Sequence, residues 1–123
     1  MMHSILIVDD NDINLVLLGK ILEIEGYQVF KAHNGTEAIQ AITKQMPDLA
    51  ILDVMMPDIG GYDLCRKLRQ PPLDVKIPIV MLTAMDVKAE KENALKAGAN
   101  DIWSKPFNMD FFTQHIKELL KTS

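Results

Sequence analysis

The sequence predicts a doubly wound α/β fold, with one five-stranded parallel sheet covered by helices on both faces. Two observations predict it. Short apolar runs alternate five times with helical segments along 123 residues, and chains that alternate in this way build parallel sheets with right-handed crossovers. Several runs are continuously apolar, as strands buried on both faces are. The crevice of such an open sheet lies outside the carboxyl ends of its strands. Five strands favour the flavodoxin-like (βα)5 arrangement, order 2-1-3-4-5, as a single domain over residues 1–123.

The elements follow in order. Ile5-Leu6-Ile7-Val8 is the first strand and stops at Asp9-Asp10-Asn11-Asp12. Ile13 to Glu25 has helical spacing and closes at Gly26, as a left-handed cap does. Tyr27 to Ala32 is the second strand. The Asn34-Gly35 turn follows, then a helix from Thr36 to Gln45 with Ala38, Ile39, Ala41 and Ile42 at helical spacing. Met46-Pro47-Asp48 breaks it. Leu49-Ala50-Ile51-Leu52 is the third strand and ends on an acid, Asp53. A loop with Pro57, Gly60 and Gly61 leads into the helix Tyr62 to Gln70, and Pro71-Pro72 opens a connector reaching Lys76. Ile77 to Leu82 is the fourth strand and stops at Thr83. Asp86 caps a helix from Val87 to Ala97, which Gly98 ends. Asp101 to Ser104 is the short fifth strand, ended by Lys105-Pro106. Asn108 caps the last helix, whose stripe is Met109, Phe112, Ile116 and Leu119.

Composition bounds the function. Hydrophobic residues make up 48% of the chain and charged residues 24%, an ordinary globular mixture. At this length folding hides about two-thirds of the unfolded surface, so neither disulfides nor a structural metal are needed. The net charge is −4, and no basic stretch tracks a phosphate backbone, which argues against direct nucleic-acid binding. The lone cysteine, Cys65, excludes an internal disulfide and a Cys-rich zinc site, and fits a reducing compartment. It is read as helix packing. No run approaches the roughly 18 apolar residues that cross a bilayer, and Met1-Met2-His3-Ser4 lacks the features of a signal peptide. A cytoplasmic domain without membrane contact is expected. His3, His33 and His115 lack ligand spacing and are read as surface residues.

The parallel sheet gives the polar residues a geometry. Asp9 and Asp10 end the first strand, Asp53 the third, Thr83 the fourth and Lys105 the fifth, so all five converge on one edge. Strands one and three are neighbours in the proposed order, which brings three carboxylates together. Such a group repels itself unless a cation neutralises it. Oxygen ligands from carboxylate, carbonyl and water suit Mg²⁺ or Mn²⁺, not zinc. A lysine and a hydroxyl opposite are what the equatorial oxygens of a phosphoryl group require. One carboxylate would be the nucleophile of an acyl phosphate. Helix capping accounts for any one of Asp9, Asp10 and Asp12, but not for Thr83 and Lys105 with them.

At these residues the chain resembles the receiver domain of two-component response regulators. Val8-Asp9-Asp10, Leu52-Asp53-Val54-Met55-Met56-Pro57 with Gly60-Gly61, Thr83-Ala84 and Lys105-Pro106-Phe107 stand in that family's order. The resemblance implies that Asp53 accepts a phosphoryl group from a histidine of a sensor kinase or phosphotransfer protein. It implies that Asp10, Asp53 and the backbone carbonyl of Met55 ligate Mg²⁺, with Asp9 acting through metal-bound water. Thr83 and Lys105 would hold phosphoryl oxygens, and Lys105-Pro106 would be a cis peptide. Partners, an output domain or a twin receiver would dock on the face of the fourth helix, fifth strand and last helix. The residues Met55 and Met85 would influence how water reaches the acyl phosphate.

The chain departs from that family at one place. Where Tyr or Phe usually stands three residues before the lysine, it has Ile102, followed by Trp103. Alternation sends the two to opposite faces, so Trp103 is read as core packing and the usual threonine–aromatic coupling is absent. The helix Val87 to Ala97 has little apolar surface and is a plausible moving part, with Glu92 and Lys96 paired at i, i+4. Two other classes fit less well. An aspartyl phosphohydrolase usually has a second acid where Met55 stands, and a flavin carrier needs a phosphate-cradling loop where Asp10-Asn11-Asp12 stands. A phosphorylation-independent docking module fits poorly with Asp53, Thr83 and Lys105 all present. Both a stand-alone regulator and part of a longer protein fit the chain.

Overall fold

A computed structural model describes residues 2–56, 58–105 and 108–122, the side chain of residue 122 excepted. The described elements are β1 (Ser4–Val8), α1 (Asp12–Ile24), β2 (Gln28–Ala32), α2 (Gly35–Lys44), β3 (Leu49–Asp53), α3 (Gly61–Arg69), β4 (Ile79–Thr83), α4 (Val87–Ala97), β5 (Asp101–Ser104) and α5 (Met109–Thr122). All pairings are parallel and the strand order is β2-β1-β3-β4-β5, as expected.

Strand alternation divides the apolar runs between two cores. Leu6, Val8, Ala50, Leu52, Ile79, Met81 and Ile102 pack with Ala38 and Ile42 of α2, Leu64, Cys65 and Leu68 of α3, and Ala94 and Ala97 of α4. Ile5, Ile7, Leu49, Ile51, Val80, Leu82 and Trp103 face the other way, onto Leu15, Leu18 and Leu22 of α1 and Phe112, Ile116 and Leu120 of α5. Every residue of β1, β3 and β4 is buried, which is why their sequences lack alternation. Ile102 and Trp103 thus do lie on opposite faces. Trp103 packs edge-on against Phe112, with ring centroids 5.3 Å apart. Cys65 is fully buried in helix packing.

Several boundaries shift for identifiable reasons. Tyr27 does not open β2, because its N–H turns back to the Leu22 carbonyl at 3.1 Å in the closure of α1. Ile77 and Pro78 do not open β4. The Ile77 carbonyl accepts from Arg69 Nη1 at 2.7 Å, and Pro78 has no N–H to give a ladder. The cap of α1 is none of the three aspartates: Asn11 supplies it, its side chain accepting from the Asn14 N–H at 3.1 Å. Asp86 caps α4, Asn108 caps α5 through the Phe111 N–H, and Gly26 and Gly98 take positive φ, as expected. On α5 the buried stripe is Phe112, Ile116 and Leu120, whereas Met109 is exposed and Leu119 only partly covered. An i, i+4 row fixed by Phe112 leaves residue 109 outside it.

Arg69 holds the connectors below α3 and α4 in place. Its guanidinium donates to the carbonyls of Gly98 (2.9 Å), Val75 (2.9 Å) and Ile77 (2.7 Å) and to Asn100 Oδ1 (3.0 Å). Glu92 and Lys96 pair at 3.1 Å on α4. Among the described residues no helix is long and apolar enough to cross a membrane. The cis peptide expected at Lys105-Pro106, like Pro57 and Phe107, lies outside the described residues.

Candidate functional site

The carboxyl ends of β1, β3, β4 and β5 form one rim. β1 and β3 pair Val8 with Leu52, so Asp9 and Asp53 leave adjacent strands at the same level. Carboxylate oxygens of Asp9, Asp10 and Asp53 lie within 4.8 Å of one another, with Asp9 and Asp53 buried and Asp10 exposed. Lys105 reaches across from the end of β5. Its Nζ stands 3.0 Å from Asp53 Oδ1 and 3.3 Å from Asp9 Oδ2. The Lys105 N–H donates to the Thr83 carbonyl at 2.8 Å, which ties the stem of the lysine to β4. The Thr83 side chain is buried, and its Oγ1 accepts from the Met85 N–H at 2.9 Å.

Electrostatics follow from this crowding. Burial pushes the Asp53 carboxyl above the ordinary carboxylate range. The bond from Lys105 opposes that rise, while the charges of Asp9 and Asp10 add to it. Burial disfavours the charge on Lys105, but its bond to Asp53 and the charges of Asp53 and Asp9 outweigh this, so its pKa is raised. Three carboxylates against one ammonium leave excess negative charge in a mostly buried site. The donor set is oxygen throughout and matches a hard divalent cation of the Mg²⁺ type.

Asp9, Asp10, Asp53 and Lys105 are therefore brought together as expected, and Thr83 joins the rim beside them. Met55 follows in the loop after β3 and is 68% exposed, and Met85 is exposed after β4. Two residues missed by sequence reasoning, Asn11 and Asn14, also belong here. Asn11 donates its N–H to Asp9 Oδ1 at 2.9 Å, and Asn14 Nδ2 donates to Asp9 Oδ2 at 3.1 Å. His33 lies between two carboxylates, Nε2 at 2.6 Å from Asp12 and Nδ1 at 3.0 Å from Glu37, linking the first turns of α1 and α2. The available signal was the place of Asn14 in the first turn of α1, five residues past Asp9. On α1, Ile13, Val16 and Leu17 are exposed next to Asp12.

Known proteins are similar to this chain in sequence and fold. The family model described as the response regulator receiver domain matches residues 5–117. The phosphate regulon transcriptional regulatory protein PhoB of Rhizobium meliloti is 39% identical over 121 residues, which cover 98% of this chain and 53% of that protein. The alkaline phosphatase synthesis transcriptional regulatory protein PhoP of Bacillus subtilis is 40% identical over 123 residues, covering all of this chain and 50% of that protein. The chain thus spans about half the length of these relatives. A crystal structure of a two-component response regulator from Clostridium difficile superposes with a TM-score of 0.91 at 32% identity, covering 98% of this chain and 97% of the other. With its doubly wound sheet, acidic rim and opposed lysine, the chain belongs to the response regulator receiver domain family.

Proposed function

We propose that this receiver takes part in a two-component phosphorelay, with Asp53 accepting a phosphoryl group from a phosphohistidine of a sensor kinase or histidine phosphotransfer protein. The observation that carries the reading is Lys105 Nζ at 3.0 Å from Asp53 Oδ1 within a rim of three carboxylates. Asp10, Asp53 and the Met55 carbonyl would hold Mg²⁺, or Mn²⁺ in its place, with Asp9 acting through a bound water. When bound, that ion supplies charge neutralisation for an incoming phosphoryl group. An Asp53 oxygen forms the new P–O bond as the P–N bond of the donor breaks, and the departing imidazole nitrogen keeps the electron pair. Lys105 then turns to one phosphoryl oxygen, and the Thr83 hydroxyl donates to another.

The same step supplies the switch. Thr83 Oγ1 accepts from Met85 N–H at 2.9 Å, so turning the hydroxyl inward releases the segment that leads into α4. The face of α4, β5 and α5, where Leu95, Met109 and Phe111 are exposed, would then receive a partner protein, an attached output domain or a twin receiver in a phosphorylation-dependent homodimer. The exposed Ile13, Val16 and Leu17 strip on α1 would seat the phosphodonor protein beside the rim. We assign residues 1–123 to one cytoplasmic signalling domain that assists only its own phosphorylation and dephosphorylation. It is assigned no membrane contact and, at a net charge of −4, no nucleic-acid contact of its own.

Incubation with a small phosphodonor and Mg²⁺, followed by intact mass measurement, tests the reading. One added phosphoryl group is expected on the wild type and none on Asp53→Asn. Equal labelling of both proteins, or of neither, would refute the assignment.

A further inference from the structure

The Asp9 carboxylate is held at both oxygens by the protein itself. Oδ1 accepts from the Asn11 N–H at 2.9 Å, and Oδ2 accepts from Asn14 Nδ2 at 3.1 Å and Lys105 Nζ at 3.3 Å. Asp9 is only 6% exposed, so losing one of these few protein donors is costly. Lys105 is divided between Asp9 and Asp53, 96 and 52 residues away in sequence. It turns wholly to Asp53 only if something else keeps Asp9 in place.

Asn14 has the chemistry for that task. Its carboxamide is a neutral donor, so it orients Asp9 without offsetting the negative charge that would attract a cation. A second ammonium in its place would compete with a divalent ion. We propose that Asn14 is a positioning residue of the acidic rim, fixing the Asp9 carboxylate for a divalent cation and freeing Lys105 for Asp53. This rests on the receiver reading and extends it to a residue that reading does not use.

The side-chain role is separable from the helix cap. The Asn14 backbone N–H donates to Asn11 Oδ1 at 3.1 Å and caps α1, whereas only its side chain reaches Asp9. Replacing that side chain therefore removes the Asp9 contact and leaves the cap donor in place.

Calorimetric titration with Mg²⁺ alone, on wild type, Asn14→Leu, Asn14→Ala and Asp10→Asn, tests the proposal. Both Asn14 variants are expected to bind Mg²⁺ about tenfold more weakly, the lower end of the loss typical for partners that orient metal ligands. The Lys105 ammonium resonance should also move in the metal-free variants, as the lysine is drawn to Asp9, a response that a purely structural role would not give. Equal Mg²⁺ affinity in wild type and both Asn14 variants overturns the proposal while leaving the receiver reading intact. Absence of Mg²⁺ binding by the wild type overturns both. Should the variants fail to fold, the wild-type Asn14 side-chain amide decides, since an NH₂ resonance that does not shift on Mg²⁺ addition also overturns the proposal.

Discussion

Gly61 and Asp53 meet backbone to backbone. A β-carbon on residue 61 would collide with the Asp53 carbonyl oxygen and lie 2.9 Å from the Val54 α-carbon. The Gly61 N–H donates to the Val54 carbonyl at 2.9 Å. The first residue of α3 is thus pressed against the end of β3, and any side chain there displaces the backbone of Asp53.

Gly61→Ala is therefore expected to destabilise the fold by about 1–3 kcal/mol, the usual cost of overpacking, and to slow phosphoryl acceptance at Asp53. Gly60→Ala is the control, since its β-carbon would come no closer than 4.0 Å to the Val54 carbonyl oxygen. Urea unfolding of the two variants checks the contrast, and equal losses would contradict it.

Asp53→Asn should stabilise the metal-free protein at neutral pH. Burial raises the Asp53 carboxyl above the ordinary range, with Lys105 opposing and Asp9 and Asp10 reinforcing the rise. The folded state thus binds its proton more tightly than the unfolded chain does. Ionisation then costs stability as pH rises from about 4, where an unfolded aspartate titrates, through the higher folded value. The advantage of Asn should be absent in acid, grow across that window, level off above it, and shrink when Mg²⁺ is added. Urea unfolding of both proteins across the pH range measures it, and a gap independent of pH would refute this account.

His33 should titrate above its ordinary value. Its bond to Glu37 leads that rise and its bond to Asp12 follows. A neutral imidazole donates from one nitrogen only, so both contacts are satisfied only in the protonated ring. The stabilisation is complete below the ordinary histidine pKa, near 6.5, and is lost as pH rises through the folded value. The site is half exposed, so added salt should weaken the effect. Proton NMR titration of His33 in wild type, Asp12→Asn and Glu37→Gln checks this, with a lower value expected in each variant. No change in either variant would rule out the pairing.

Tyr62→Phe should loosen α4. The Tyr62 hydroxyl donates to Glu90 Oε1 at 2.8 Å, and burial together with Glu90 pushes its pKa up to about 12. This bond joins the first turn of α3, beside Asp53, to a helix that buries only Ala94 and Ala97. Its loss should cost about 1 kcal/mol and speed hydrogen exchange along 87–97 more than elsewhere. Unchanged exchange there would show that the tether does not hold α4.

The legible and illegible parts of the molecule differ in range. Runs such as Ile5–Val8 and Leu49–Leu52 announce strands because both sheet faces bury them, and Asp86, Asn108 and Gly98 mark helix ends through local bonds. Asp9, Asp10, Asp53, Thr83 and Lys105 could be placed on one edge because a parallel sheet sends all its carboxyl ends the same way. The start of β4 was misplaced because the Ile77 carbonyl goes to Arg69, eight residues away. The stripe on α5 was misphased because Phe112, packed on Trp103, decides which row turns inward.

By itself the sequence determined the order and type of the elements and the edge on which the charged residues gather. These depend on burial patterns that repeat every two or every 3.6 residues. Only the tertiary structure decided that Asn14 grips Asp9, that His33 joins Asp12 to Glu37, and that Lys105 is shared between two aspartates. Such contacts depend on the rotation of each helix against the strand end beside it, to within the reach of one hydrogen bond, and no periodicity along the chain encodes that angle.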